Sequence, residues 1–127
     1  MKEKIQLEYV INSSPKVLYD HVSTPGGLSK WFADDVNVNG NEYVFIWEGE
    51  EQKAIVTGRK IGSYIRFRWQ DEDDEDEKYF FEFKVVKDDL TGDIVLLITD
   101  FAEEDEKEEV IELWDSQVED LMQVLGV

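Results

Sequence analysis

The side chains that most readily do chemistry at neutral pH are few in this chain, and their spacing decides what they are good for. His21 is the single histidine, with Asp20 beside it in sequence. A general base needs a partner and a substrate within hydrogen-bond reach, and one imidazole does not build the commoner zinc sites. His21 therefore reads as a hydrogen-bonded or exposed helical residue. The chain has no cysteine, hence no thiolate nucleophile, disulfide or thiolate metal site. Acids are so abundant, 31 Asp and Glu against 13 Lys and Arg, that paired carboxylates occur at almost any spacing by chance. The sequence also lacks nucleophile-elbow, phosphate-loop and dinucleotide fingerprints. No catalytic residue, metal ligand or cofactor is expected.

Charge excludes two classes of partner. A formal net charge of −18 opposes binding to a phosphate backbone, which needs a clustered basic field, and to an anionic membrane surface. Neither nucleic acid nor membrane is an expected partner. The acids gather in two runs, Asp71 to Glu77 and Glu103 to Glu109, the second interrupted only by Lys107. Neither follows a calcium-loop pattern. The first reads as a solvated hairpin loop that attracts divalent cations weakly. The second reads as a helix start, where negative charge suits the macrodipole. The beginning of the chain carries no signal-like apolar run, and no stretch nears the ~18 apolar residues of a membrane span. A cytoplasmic location is expected.

The elements that must position any site follow from hydrophobic period. The 127 residues, 42% of them hydrophobic, suit a single domain with a proper core. Ile5, Leu7, Tyr9 and Ile11 alternate as a half-buried strand. Asn12-Ser-Ser-Pro caps a short helix over Pro15 to Val22. Thr24-Pro-Gly-Gly breaks it, and Leu28 to Phe32 forms one more helical turn. Strands follow, with Asn39-Gly40 as the strongest hairpin signal. Val110, Ile111, Trp114, Val118, Leu121, Met122 and Leu125 recur at helical spacing, and that helix ends near Gly126. The order β-α-α-β-β-β-β-β-β-α is an α+β fold: an antiparallel sheet of about six to seven strands covered by a long C-terminal helix.

Register gathers the aromatic residues. A hairpin closed at Asn39-Gly40 sets Val36 opposite Tyr43 and puts Tyr43, Phe45 and Trp47 on one face. A tight turn at Gly49-Glu50 adds Ala54, Val56 and Gly58 to that face. The turn before Ser63 is expected to be longer, because Ile61 suits a left-handed position poorly. Ile65, Phe67 and Trp69 then point one way and Tyr64, Arg66 and Arg68 the other. Beyond the acidic run, Tyr79, Phe81, Phe83 and Val85 alternate with Glu82 and Lys84. Pairing Trp69 with Tyr79 sets Phe67 against Phe81, Ile65 against Phe83 and Arg66 against Glu82. Arg66 is thus expected in an outer-face ion pair, not as a ligand anchor. Tyr9, Tyr43 and Tyr79 are the candidates for polar contacts within the pocket.

These elements resemble the START-like, helix-grip superfamily (SRPBCC proteins). Within it the likeness is to the activator of heat-shock-chaperone ATPase, or Aha-type, family. It is carried by Ser14-Pro15-x-x-Leu18-Tyr19-x-x-Val22-Ser23-Thr24-Pro25, by Leu28-x-x-Trp31-Phe32, and by Leu113-Trp114-x-x-x-Val118-x-x-Leu121-Met122. The resemblance implies a curved sheet gripping the long helix, with an apolar cavity between them. The expected cavity residues are Trp31, Phe32, Tyr43, Phe45, Trp47, Phe67 and Trp69, with Tyr79, Phe81, Phe83, Trp114, Val118 and Met122. The leading expectation is a non-enzymatic domain that accommodates a hydrophobic small molecule or lipid. An acidic protein-interaction module, co-chaperone-like or homodimeric, is the first alternative; a cyclase- or hydrolase-type enzyme is the second. Ala102-Glu-Glu-Asp-Glu stands where relatives carry a Gly-rich loop before the helix.

Overall fold

The computed structural model describes residues 1–70 and 78–127; the acidic run Asp71 to Glu77, read above as a solvated loop, lies outside the described residues. Strand β1 (Glu3–Val10) leads into helices α1 (Pro15–Ser23) and α2 (Pro25–Leu28). Six strands follow: β2 (Asp35–Asn39), β3 (Glu42–Trp47), β4 (Glu50–Lys60), β5 (Tyr64–Trp69), β6 (Phe81–Lys87) and β7 (Ile94–Ala102). A 3-10 turn at Glu104–Glu106 starts the chain into α3 (Lys107–Leu125). All seven strands form one antiparallel sheet in the order β1-β7-β6-β5-β4-β3-β2. The α+β class and the element order are those expected from the sequence.

Local chemistry explains the two short helices. The Ser14 hydroxyl accepts the Val17 N–H at 3.1 Å, and Pro15 occupies the first turn. Thr24 then serves both helices: its hydroxyl donates to the Asp20 carbonyl at 2.7 Å and accepts from the Gly27 N–H at 3.0 Å. The second helical turn consequently begins at Pro25, not at Leu28 as the Pro-Gly-Gly sequence suggested. A Cβ on Gly27 would collide with the Asp20 carbonyl oxygen and the His21 Cα. Only glycine lets the two helices approach this closely.

Two hairpins sit one residue away from their expected positions, in opposite directions. The β2–β3 loop is Gly40-Asn41, with Val38 opposite Tyr43 and Val36 opposite Phe45. Gly40, at φ 63°, takes the left-handed first position of that turn. The β3–β4 loop is Glu48-Gly49, both residues at positive φ, as a type I′ turn requires. The Asp34 carboxylate accepts the Glu48 N–H at 2.7 Å. Moving a loop by one residue changes the pairing by two, so every side chain keeps its face. The β4–β5 turn is the longer one expected, Ile61 to Ser63, with Gly62 at φ 81°.

Two expected inward residues do face elsewhere. A bulge between Val56 and Gly58 leaves Thr57 unpaired, and one extra residue reverses the faces beyond it. Gly58 therefore pairs with Arg66 on the outer face, while Arg59 pairs with Ile65 and turns inward. Tyr79 precedes β6, and the β5–β6 ladder ends at the Phe67–Phe81 pair. The expected Trp69–Tyr79 pairing is not formed. Outside the ladder, alternation no longer fixes the ring, and Tyr79 packs against Phe101 at 5.3 Å.

The core lies between the inner sheet face and the helices. Trp114, Val118 and Leu121 of α3 are buried against Phe81, Phe83, Ile98 and Phe45, with Val110, Met122 and Leu125 partly buried around them. Each large side chain so buried is worth about 1.5–3 kcal/mol. Gly126, at φ 76°, closes α3, and its N–H donates to the Gln123 carbonyl.

Candidate ligand cleft

The inner face grades from closed to open along its strands. Tyr43 and Phe45 of β3 are buried, but Trp47 is only partly so; Ile65 and Phe67 of β5 are buried, but Trp69 is only partly so. At the open end is a cleft of about 400 Å³ lined by Phe32, Trp47, Gln52, Trp69, Phe81, Asp100, Val110, Leu113, Trp114 and Gln117. Strands β3 to β7 supply one wall and the first turns of α3 the other. Phe32, delivered by the segment after α2, forms the floor.

Five of the rings make a continuous wall. Trp47 and Trp69 lie 6.1 Å apart, and Trp69 stacks on Phe81 at 4.9 Å. Phe32 stacks on Trp114 at 5.8 Å and meets Trp47 edge-on at 5.3 Å. Two indole N–H groups are already engaged: Trp47 donates to the Phe32 carbonyl at 2.8 Å, and Trp114 donates to the Asp100 carboxylate at 2.9 Å. Gln117 reaches the same Phe32 carbonyl at 3.4 Å. These bonds fix the ring planes without placing donors in the cleft.

Of the residues expected to line a cavity, Phe32, Trp47, Trp69, Phe81 and Trp114 come together here. Tyr43, Phe45, Phe67, Phe83, Val118 and Met122 fill or flank the core behind them. Trp31 is buried, donates its indole N–H to the His21 carbonyl at 2.7 Å, and borders a shallower groove between α3 and the α2 segment. Tyr79 belongs to neither group: its hydroxyl accepts the Lys2 N–H at 3.3 Å and its ring borders an outer-face hollow. Nor do the other two tyrosines reach the cleft. The Tyr9 hydroxyl donates to Asp115 at 2.6 Å. Burial, followed by that hydrogen bond and the negative charge of Asp115, raises its pKa well above the ordinary tyrosine value. The Tyr43 hydroxyl donates to the Ser23 carbonyl at 2.7 Å and accepts from Arg59 at 2.9 Å, sealing the far end.

Sequence reading missed the polar rim. Asp100 pairs with Ile5 across the β1–β7 ladder and shares its parity on β7 with Ile94, Leu96 and Ile98, so alternation on β7 would have revealed the single acid facing in. Gln52 shares its face with Ala54 in the same way. His21, by contrast, is removed from the cleft: its Nδ1 donates to the Val17 carbonyl at 2.8 Å. Arg66 meets Glu82 at 2.8 Å on the outer face, as alternation requires, and its guanidinium lies 4.0 Å from the Phe80 ring centre.

A seven-stranded antiparallel sheet that holds one long helix against an aromatic face, with two short helices after the first strand, is the helix-grip architecture. The chain belongs to the START-like superfamily, whose domain matches residues 1–127. Similar solved structures include a Bacteroides fragilis protein determined by NMR in solution, 43% identical, with 97% of this chain and 90% of that one aligned at a TM-score of 0.68. The Aha1 dimer from Colwellia psychrerythraea aligns over 97% of this chain and 96% of its own at TM-score 0.79 and 18% identity, a likeness of fold. DynU16, described as a putative protein in the dynemicin biosynthetic locus, matches 98% of this chain at TM-score 0.77 and 13% identity; the match spans 47% of that protein. No curated protein matches the sequence. Among the described residues, no helix is long and apolar enough to cross a membrane.

Proposed function

We propose that this START-like domain is a binding protein for a hydrophobic small molecule, held in the cleft between the sheet and the first turns of α3. The observation that carries this reading is the cleft itself. About 400 Å³ lined by three Trp, two Phe and a few polar groups falls in the range of small-molecule pockets, which are mostly apolar with sparse orienting groups. The Trp47 and Trp114 rings are held by hydrogen bonds to the backbone and to Asp100, so a ligand meets a partly preorganised surface. Binding without catalysis is supported by the location of the lone histidine outside the cleft.

Titration with the neutral fluorescent probe phenylnaphthylamine tests the reading. Saturable one-to-one binding, quenching of tryptophan emission, and at least about tenfold weaker binding by Trp69→Ala are expected, since one large ring contributes over 1.4 kcal/mol of contact. Absence of saturable binding overturns the proposal. A second reading, self-association, draws on the exposed Leu113 and Val124 bordering the groove between α3 and the α2 segment. Light scattering that finds a dimer disrupted by Leu113→Asp would favour it.

A further inference from the structure

We infer that the cleft selects an organic cation: a small molecule with an apolar, preferably aromatic, body and an ammonium group. This rests on the reading of the cleft as a ligand site and adds the chemical class of its occupant. The formal charge of the wall is one-sided. Asp100 supplies the one charged group, a carboxylate that already accepts the Phe101 N–H at 2.8 Å and the Trp114 indole N–H at 2.9 Å and so offers a ligand its charge and remaining lone pairs. The rim adds the amides of Gln52 and Gln117, and no Lys or Arg is among the described residues lining it. The indole N–H groups of Trp47 and Trp114 are already donated, to the Phe32 carbonyl and to Asp100. What these indoles present to a ligand is therefore their π faces, which carry negative quadrupole density and attract ammonium groups, tryptophan most strongly.

A carboxylate ligand would find the reverse of what it needs. Its charge would sit beside Asp100, in a protein of net charge −18, with few donors to receive it. The chain's three arginines are engaged away from the cleft. Arg59 donates to Tyr43 at the closed end, while Arg66 and Arg68 border the outer-face hollow, Arg66 in its pair with Glu82. The long-range field points the same way. Helix α3, which forms one wall, carries Glu108, Glu109 and Glu112 in the turns around Val110. Clustered charge of one sign raises the local concentration of counter-charged ligands. The aromatic wall and the carboxylate within it are separate from that field and act at contact.

A matched naphthyl series tests this on the whole protein: naphthylmethyl-trimethylammonium, naphthylmethanol and naphthylacetate, followed by tryptophan quenching and calorimetry. The expected order is cation over neutral alcohol by about tenfold or more, with the carboxylate weakest. The preference must persist in molar salt, where screening acts within about 3 Å. Asp100→Asn, which keeps an oxygen to accept the Trp114 indole N–H, should weaken the cation several-fold more than the alcohol. Gln52→Lys, at an exposed rim position, should weaken the cation in the same way, and it carries the test should Asp100→Asn fail to fold. Equal binding of alcohol and cation overturns the inference while leaving the apolar cleft intact, as does a preference that vanishes in molar salt. If no member binds saturably, both the inference and the ligand reading fall.

Discussion

The closed and open ends of the interior are built from the same alternation yet do different things. At the closed end, Tyr43, Phe67 and Phe83 lie under α1, and polar atoms are tied off: Tyr43 to Ser23 and Arg59, and Tyr19 to the Tyr64 carbonyl. At the open end, Trp47 and Trp69 continue β3 and β5 by one more inward position, but β6 no longer pairs beside Trp69. Rings alone do not make a binding site. The difference lies in cover: where a helix and a complete ladder overlie the sheet, aromatics become core, and where the ladder stops they become a wall.

The largest expected effect breaks this comparison most directly. Phe67→Ala removes a fully buried ring packed against Tyr43, Phe45, Phe81 and Phe83, and should cost about 3–5 kcal/mol in urea unfolding. Trp69→Ala, one inward position away, should cost less than half as much while weakening ligand binding at least about tenfold. Equal stability losses would show that the two ends do not differ as described.

Tyr43→Phe comes next. It leaves the rings in place but strips the Ser23 carbonyl of its donor and Arg59 of its acceptor. A buried acceptor left unsatisfied costs about 1–3 kcal/mol, with no change in affinity at the far cleft. A shift in ligand affinity would mean that the ends are coupled.

Much of this division was legible in the residues, and the exceptions share a cause. Inner-face membership of Phe45, Phe67, Phe81, Phe83 and Trp114 follows from period alone, and it does not depend on the exact turn residues, because displacing a hairpin loop by one residue shifts the pairing by two. Gly58 and Tyr79 depart from alternation where the ladder itself changes, at the Val56–Gly58 bulge and before Phe81. Periodicity carries no signal for a bulge, since Val56-Thr57-Gly58 alternates as well as any strand. The cleft was less legible than the core for the same reason: it depends on where pairing stops.

Tyr9→Phe probes the seam between α3 and the sheet. At neutral pH, loss of its bond to Asp115 should cost about 0.5–1.5 kcal/mol. The pH dependence is the sharper measurement. Burial and the Asp115 carboxylate hold the native phenol protonated above its ordinary value of 10.0. Above that pH the unfolded chain releases the proton while the native chain retains it, so stability is fully present below pH 10 and declines as pH rises. Tyr9→Phe should therefore show a shallower alkaline loss than wild type. An unchanged slope would remove Tyr9 from the seam.

The smallest effect on ligand binding is expected from the opposite face. Arg66 pairs with Glu82 at 2.8 Å, with its side chain 42% and that of Glu82 13% exposed, and it covers the Phe80 ring. An ion pair of this exposure contributes about 0.2–1 kcal/mol, and it weakens with salt. Arg66→Ala should therefore lower stability by no more than about 1–2 kcal/mol once the ring contact is included. The informative part is what stays fixed. If binding belongs to the rings of the inner face, losing the cation across the sheet should leave naphthylmethanol affinity within about twofold of wild type, and naphthylacetate should remain the weakest ligand. A tenfold loss of naphthylacetate binding in Arg66→Ala would instead place an acid-binding site in the outer hollow beside Arg68 and Phe80. The division of this sheet into a ligand face and an ion-paired face would then have to be reversed.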